Sequence, residues 1–182
     1  MSGPAPFVFR EAPVPEGWPA LTPVDEVRIK EYPAYRAAIA ESGDAQNSMF
    51  RTLFNHIKKN EIAMTAPVEM TVTDDSTAKS PKDMAFLYRQ PDMGSAGEDG
   101  SVNVVDVPAA TMLSTGVRGG YSDKNYRKAI KRLEAWLAEN PDQYRVTGPS
   151  RYLGYNSPFV PWFMRYGEVQ LPVESIVSNT SP

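Results

Sequence analysis

His56 is the only histidine among 182 residues, and there is no cysteine. Disulfides, thiolate metal sites and a cysteine nucleophile are therefore excluded. An imidazole can ligate a metal or act as a base. Met49 stands seven residues earlier on the same stripe of a predicted helix, and two ligands so placed cannot grip a metal from opposite sides. His56 falls roughly 110° round that helix from its apolar face, at about 100° per residue, which predicts a surface or boundary position. Arg165, Glu168 and Glu69 form a second group, able to make a charge pair or to recognise a polar ligand; a partly exposed ion pair is expected. Tyr35, Tyr88, Tyr152 and Tyr155 could add hydroxyls to the same wall. Phe159, Val160, Trp162 and Phe163, broken by Pro158 and Pro161, make an apolar loop that either covers its own sheet or lines a cleft. No Gly-x-Ser-x-Gly elbow, HExxH, phosphate loop or dinucleotide fingerprint occurs, so a hydrolase would need carboxylates, serine or lysine.

Composition frames these groups. Hydrophobic residues are 41% and charged residues 23%, ordinary for one folded domain of this length. The net charge of −3 gives no electrostatic case for nucleic acid or an anionic surface as partner. No apolar run approaches the roughly 20 residues of a membrane span. The N-terminus lacks a charged-then-apolar leader pattern. A soluble protein is expected, cytoplasmic or, if the N-terminus is a processed end, periplasmic.

The elements that must position the candidates follow from periodicity. Phe50, Leu53, Phe54 and Ile57 recur at i, i+3, i+4 and i+7, predicting a helix over 47–59 with these four side chains buried, capped by Asn47 or Ser48. Lys58-Lys59-Asn60 closes it with positive charge. Strands are expected within 24–40 (bent at Pro33), at 62–72, 84–89, 152–155 and 162–171, and a second helix over 122–139 with Tyr126, Ile130, Leu133 and Leu137 on one face. Loops are expected at Ser42–Asp44, 74–83 and 90–101. The proline-rich 1–23 reads as an extended segment, 24–176 as one domain and 177–182 as a tail.

The second half echoes the first. VNVVDVPAA at 102–110 overlays VRIKEYPAY at 27–35, and VTGP at 146–149 answers MTAP at 64–67, each followed or preceded by a helix in the same order. Two strand–helix–strand–strand (βαββ) halves of about 24–90 and 102–173 are expected, each too small to close a core alone.

The stretch FRTLFNHIKKNEIAMTAPVEM, the PAY and VPAA pair, and the closing YNSPFVPWFMRYGEVQLPV resemble the SOUL haem-binding protein family over about residues 24–173. The resemblance implies a twisted, barrel-like, antiparallel-rich α+β sheet flanked by two helices, with pseudo-twofold halves. It is similar in shape to gyrase-inhibitor-like effector-binding domains. It also implies haem or another tetrapyrrole held on an apolar surface between the first helix and the late proline-rich loop. Positions where basic residues would meet the propionates carry Asn47, Asn55 and Val160. The expected ligand-binding residues are Met49, Phe54, His56, Lys58, Asn60, Tyr155, Phe159, Val160, Trp162, Arg165 and Glu168, with His56 as a candidate axial ligand. An effector-sensing module for another aromatic ligand, or an enzyme using carboxylates in the same cleft, are the alternatives.

Overall fold

The computed structural model describes residues 3–41 and 46–177. The Ser42–Asp44 loop and the tail beyond Val177 lie outside the described residues. In chain order the elements are β1 (Val27–Tyr32), β2 (Tyr35–Glu41), α1 (Gln46–Lys59), β3 (Val68–Val72), β4 (Asp83–Leu87), β5 (Gly97–Asp99), β6 (Val102–Val107), β7 (Ala110–Arg118), α2 (Asp123–Glu139), β8 (Tyr144–Val146), β9 (Ser150–Gly154) and β10 (Tyr166–Ser175). A 3-10 turn, Trp162–Met164, precedes β10.

The strands form one antiparallel-rich sheet in the order β1-β7-β10-β9-β3-β4-β2-β6-β5, with β8 beside the end of β10. The sheet does not close; β1 and β5 are its edges. Residues 24–40 form two strands and not one bent strand. Pro33 has no N–H for a ladder, and beyond it the chain leaves β7, the partner of β1, to lie between β4 and β6. Pro108 stands at the same junction between β6 and β7. Each half therefore lends its first strand to the other: β1 pairs with β7, and β6 pairs with β2. With β5 and β8 set aside, exchanging β1 with β6, β2 with β7, β3 with β9 and β4 with β10 returns the same order read backwards. The helices obey the same exchange, α1 packing on β2, β4 and β6, α2 on β7, β10 and β1.

Between helices and sheet, Leu53, Leu113, Leu133, Tyr152 and Val169 are fully buried. The burial of α1 runs through Met49, Leu53, His56 and Ile57. This corrects the expected face. Phe54 is 45% exposed and stacks against Phe50 at 6.2 Å, because that flank of the helix fronts a cleft instead of the sheet. The helix begins at Gln46, so Asn47 and Ser48 lie inside it. α2 is capped by Ser122, which accepts from Asn125 N.

Strand alternation sends Val169 toward the helices and Tyr166, Glu168 and Gln170 to the opposite face. There the N-terminal segment covers the sheet, with Trp18 edge-on to Tyr32 and Tyr35. Among the described residues, no helix is long and apolar enough to cross a membrane.

Candidate functional site

Beneath the N-terminal segment lies a buried polar network. Glu168, with no exposure, accepts from Lys30 Nζ at 2.8 Å, Thr22 N at 2.8 Å, Tyr166 Oη at 2.9 Å, Ser114 Oγ at 3.0 Å and Gln170 Nε2 at 2.6 Å. Arg151 donates to Gln170 Oε1, Tyr35 Oη and Glu69, and its guanidinium lies over the Tyr32 ring at 4.8 Å. The expected Arg165–Glu168 pair does not form, since Lys30 takes the carboxylate and Arg165 turns to its own loop. Burial pushes the phenols of Tyr32, Tyr35, Tyr155 and Tyr166 well above their ordinary range. The neighbouring carboxylates push the same way. Arg151 Nη2 is the one atom of this network left without a hydrogen-bond partner; the rest is filled and paired, and this face reads as structural.

The cleft lies elsewhere, where the halves join. Val68 of β3 pairs with Gly154 of β9, and both line a cavity of about 530 Å³, a typical small-molecule size. One wall is the outer flank of α1, through Gln46, Asn47, Phe50 and Phe54. The floor is Met64, Val68, Met70 and Met84, and the opposite wall is Tyr121, Tyr155, Asn156, Ser157, Pro158, Phe159 and Arg165. Glu11, Ala12 and Pro13 close one end, held by the bond from Ala66 N to Pro13 O.

The polar groups of this wall are fixed by one another. Glu11 accepts from Ser157 N at 2.7 Å and Ser157 Oγ at 2.5 Å. Burial alone would raise its pKa, but these donors and Asn156 hold it below the ordinary carboxylate value. Tyr121 Oη accepts from Asn156 N at 2.8 Å. Arg165 donates to Val160 O at 2.8 Å and Pro158 O at 3.0 Å, so it staples the loop it borders.

Of the candidates from sequence, Phe54, Tyr155, Phe159 and Arg165 line this cleft. Met49, His56, Lys58, Asn60, Val160, Trp162 and Glu168 are not among its lining residues. Met49 and His56 sit on the sheet side of α1, 2% and 7% exposed. This corrects the surface or boundary position expected for His56. Its Nδ1 lies 2.9 Å from Asp99 and its Nε2 3.0 Å from Tyr88 Oη, so both ring nitrogens are engaged. Asn60 donates to His56 O and to Asp99, and Lys59 pairs with Asp99; Lys58 is exposed. Val160 turns inward, and Glu168 belongs to the network described above. Sequence reasoning passed over Glu11, Tyr121, Gln46 and Phe50 as site residues, while Met64 and Met70 were open to either an adaptable pocket or core filling. Tyr121 and Glu11 meet Asn156 and Ser157 only through long-range folding.

The lining fits a flat apolar ring and does not fit a histidine-ligated iron. Its soft donors are the thioethers of Met64, Met70 and Met84, and Met70 Sδ already lies 3.5 Å from Gln46 Nε2. Among the described residues, no cluster of three or more His, Cys, Asp or Glu could hold a metal ion.

Two helices on one open antiparallel-rich sheet, with an apolar cleft where β3 meets β9, define an α+β architecture. The chain belongs to the SOUL heme-binding protein family, whose model matches residues 20–172. No curated protein sequence matches the chain. Among solved structures, the crystal structure of the EcmrR C-terminal domain is similar over 82% of this chain and 97% of that one, at 19% identity and a TM-score of 0.61. A conserved protein from Listeria innocua is similar over 84% and 94%, at 11% identity and 0.60. A hydrolase from Listeria innocua follows over 84% and 94%, at 12% identity and 0.57. At these identities the likeness is one of fold.

Proposed function

We propose that the cleft between α1 and the Ser157–Phe159 loop binds a flat hydrophobic molecule of the tetrapyrrole class, haem included. The observation that carries this is the lining itself: paired Phe50 and Phe54 facing Phe159 across a floor of methionines. Aromatic faces and adaptable thioethers suit a large planar ring. Arg165 is the one cation of the lining; its guanidinium is engaged by the Val160 and Pro158 carbonyls, so it offers an acidic substituent its charge and not a free fork. Binding then comes from ring contact, with the iron contributing little. Titration with haem and with metal-free protoporphyrin, followed by absorbance, tests this. The expected affinities agree within a few-fold; haem-only binding would defeat the reading.

One observation favours a second reading, an effector-sensing module for a less acidic aromatic ligand. Two propionates would meet one arginine, with Glu11 close by. A neutral or cationic aromatic dye outcompeting both porphyrins would support it. A carboxylate enzyme needs paired acids, and Glu11 is the one carboxylate of the lining.

We also take the chain from 24 to 176 as one domain of two repeated units. With β5 and β8 set aside, each is ββαββ and not the expected βαββ, because the segment before each helix makes two strands. Support comes from the strand order, which is unchanged on exchanging the halves, and from Pro33 and Pro108, which occupy equivalent junctions. Superposing 24–90 on 102–173 should bring Thr65 over Thr147.

A further inference from the structure

Phe159, Trp162 and Phe163 are 96%, 66% and 58% exposed, and Phe7 and Phe9 on the N-terminal segment are 67% and 51% exposed. One guanidinium ties the two segments together: Arg118 donates to Met164 O at 2.7 Å and to Phe7 O at 2.5 Å. Asn156 adds a bond to Phe9 O at 2.6 Å. Five exposed rings are thus carried on two segments tied to each other, beside the cleft that Phe159 lines. Rings so left in water need a partner.

We propose that these two segments dock on a lipid bilayer surface, their aromatic side chains entering the headgroup boundary. Three observations favour lipid over a protein groove. The rings ride on a segment held from within: Val160 N bonds Ser157 O, Met164 N bonds Pro161 O, and Arg165 N bonds Trp162 O. Arg165 also takes the Pro158 and Val160 carbonyls. Three of the segment's amides are so occupied, which suits the headgroup boundary, where an unmade hydrogen bond is costly. Pro158 and Pro161 stiffen the loop, so insertion loses little conformational entropy. Tryptophan and phenylalanine on a projecting tip are the side chains that settle at a membrane interface. Because Arg118 and Arg165 are turned onto carbonyls, attraction to anionic lipid is a minor force here. Docking does not depend on what the cleft holds. If the cleft takes a tetrapyrrole-class ligand, as proposed above, its mouth then opens at the membrane.

Flotation with vesicles of pure phosphatidylcholine tests this. The parent protein should float, and should still float at about 0.5 M salt, where charge attraction is largely screened. Trp162 emission should shift to the blue, and Trp162→Phe should abolish the shift while keeping flotation. F7A/F163A should lower the partition coefficient at least about tenfold, as withdrawing two large aromatic groups from an apolar phase implies. Each single variant should give a partial loss, which keeps the test valid if the double variant folds poorly. Neither residue lines the cleft, so haem titration of F7A/F163A in solution should match the parent; that measurement separates this proposal from the cleft assignment. No flotation of the parent, or undiminished flotation of F7A/F163A, would overturn lipid docking. So would a dimer in sedimentation that F7A/F163A dissolves while the parent fails to float, which would make the occupant a second copy of this chain.

Discussion

Glu168 and Lys30 show what a buried pair costs when broken. Their side chains are 0% and 5% exposed at 2.8 Å. Lys30→Met leaves a carboxylate inside the protein without its cation, so a loss of about 3–5 kcal/mol is expected in urea unfolding. K30M/E168Q, which removes both charges, should recover part of it. The tyrosines beside them set an alkaline limit. Their folded pKa values are raised above 10, so above pH 10 the unfolded chain gives up phenolic protons that the folded one keeps. Stability is then full below pH 10 and falls as pH rises beyond it. Tyrosinate absorbance should appear together with loss of the far-ultraviolet helix signal; a free titration near pH 10 in the folded state would contradict the burial. His56→Ala leaves Tyr88 Oη without its imidazole partner and should cost about 1–3 kcal/mol. Ligand binding in the cleft should survive, because His56 lies across α1 from it. Phe159→Ala should do the reverse, weakening ligand binding with an unchanged melting temperature.

At the scale of elements, both helices were legible because their apolar residues repeat over several turns. The rotation of α1 was not. Phe50 and Phe54 compete with Met49 and His56 for the sheet, and hydropathy favours the rings, whereas the fold places them on the cleft. Leu53 belongs to either stripe, and its truncation to alanine should cost about 2–5 kcal/mol by chemical denaturation. β7 escaped notice because Met112–Val117 is buried on both faces and shows no alternation. β5 lies in a glycine-rich acidic stretch, and its Asp99 is what fastens His56 and Lys59. Of the site, the apolar loop and its role as one lip were readable from Pro158, Phe159 and Pro161. The helix was readable as the other lip, but not which flank of it. The buried Lys30–Glu168 network joins residues far apart in sequence, and no local pattern announces it.

For the whole molecule, the exchanged first strands matter more than the helices. A fragment ending near residue 95 keeps β1 and β2 but lacks β7 and β6, their partners. It should show no cooperative unfolding alone, and should regain helix signal when mixed with the remaining chain. An independently folded fragment would mean that the interlocking is dispensable.

That interlocking has a consequence for biogenesis. Val27 meets Thr115 across the β1–β7 ladder, and roughly 90 residues must be synthesised between them. At about 5–20 residues per second, β1 leaves the ribosome and waits roughly 4–18 s with an unpaired strand edge exposed. Over that interval the nascent chain is a client for holding chaperones, and the rate of translation through its middle becomes a determinant of its yield.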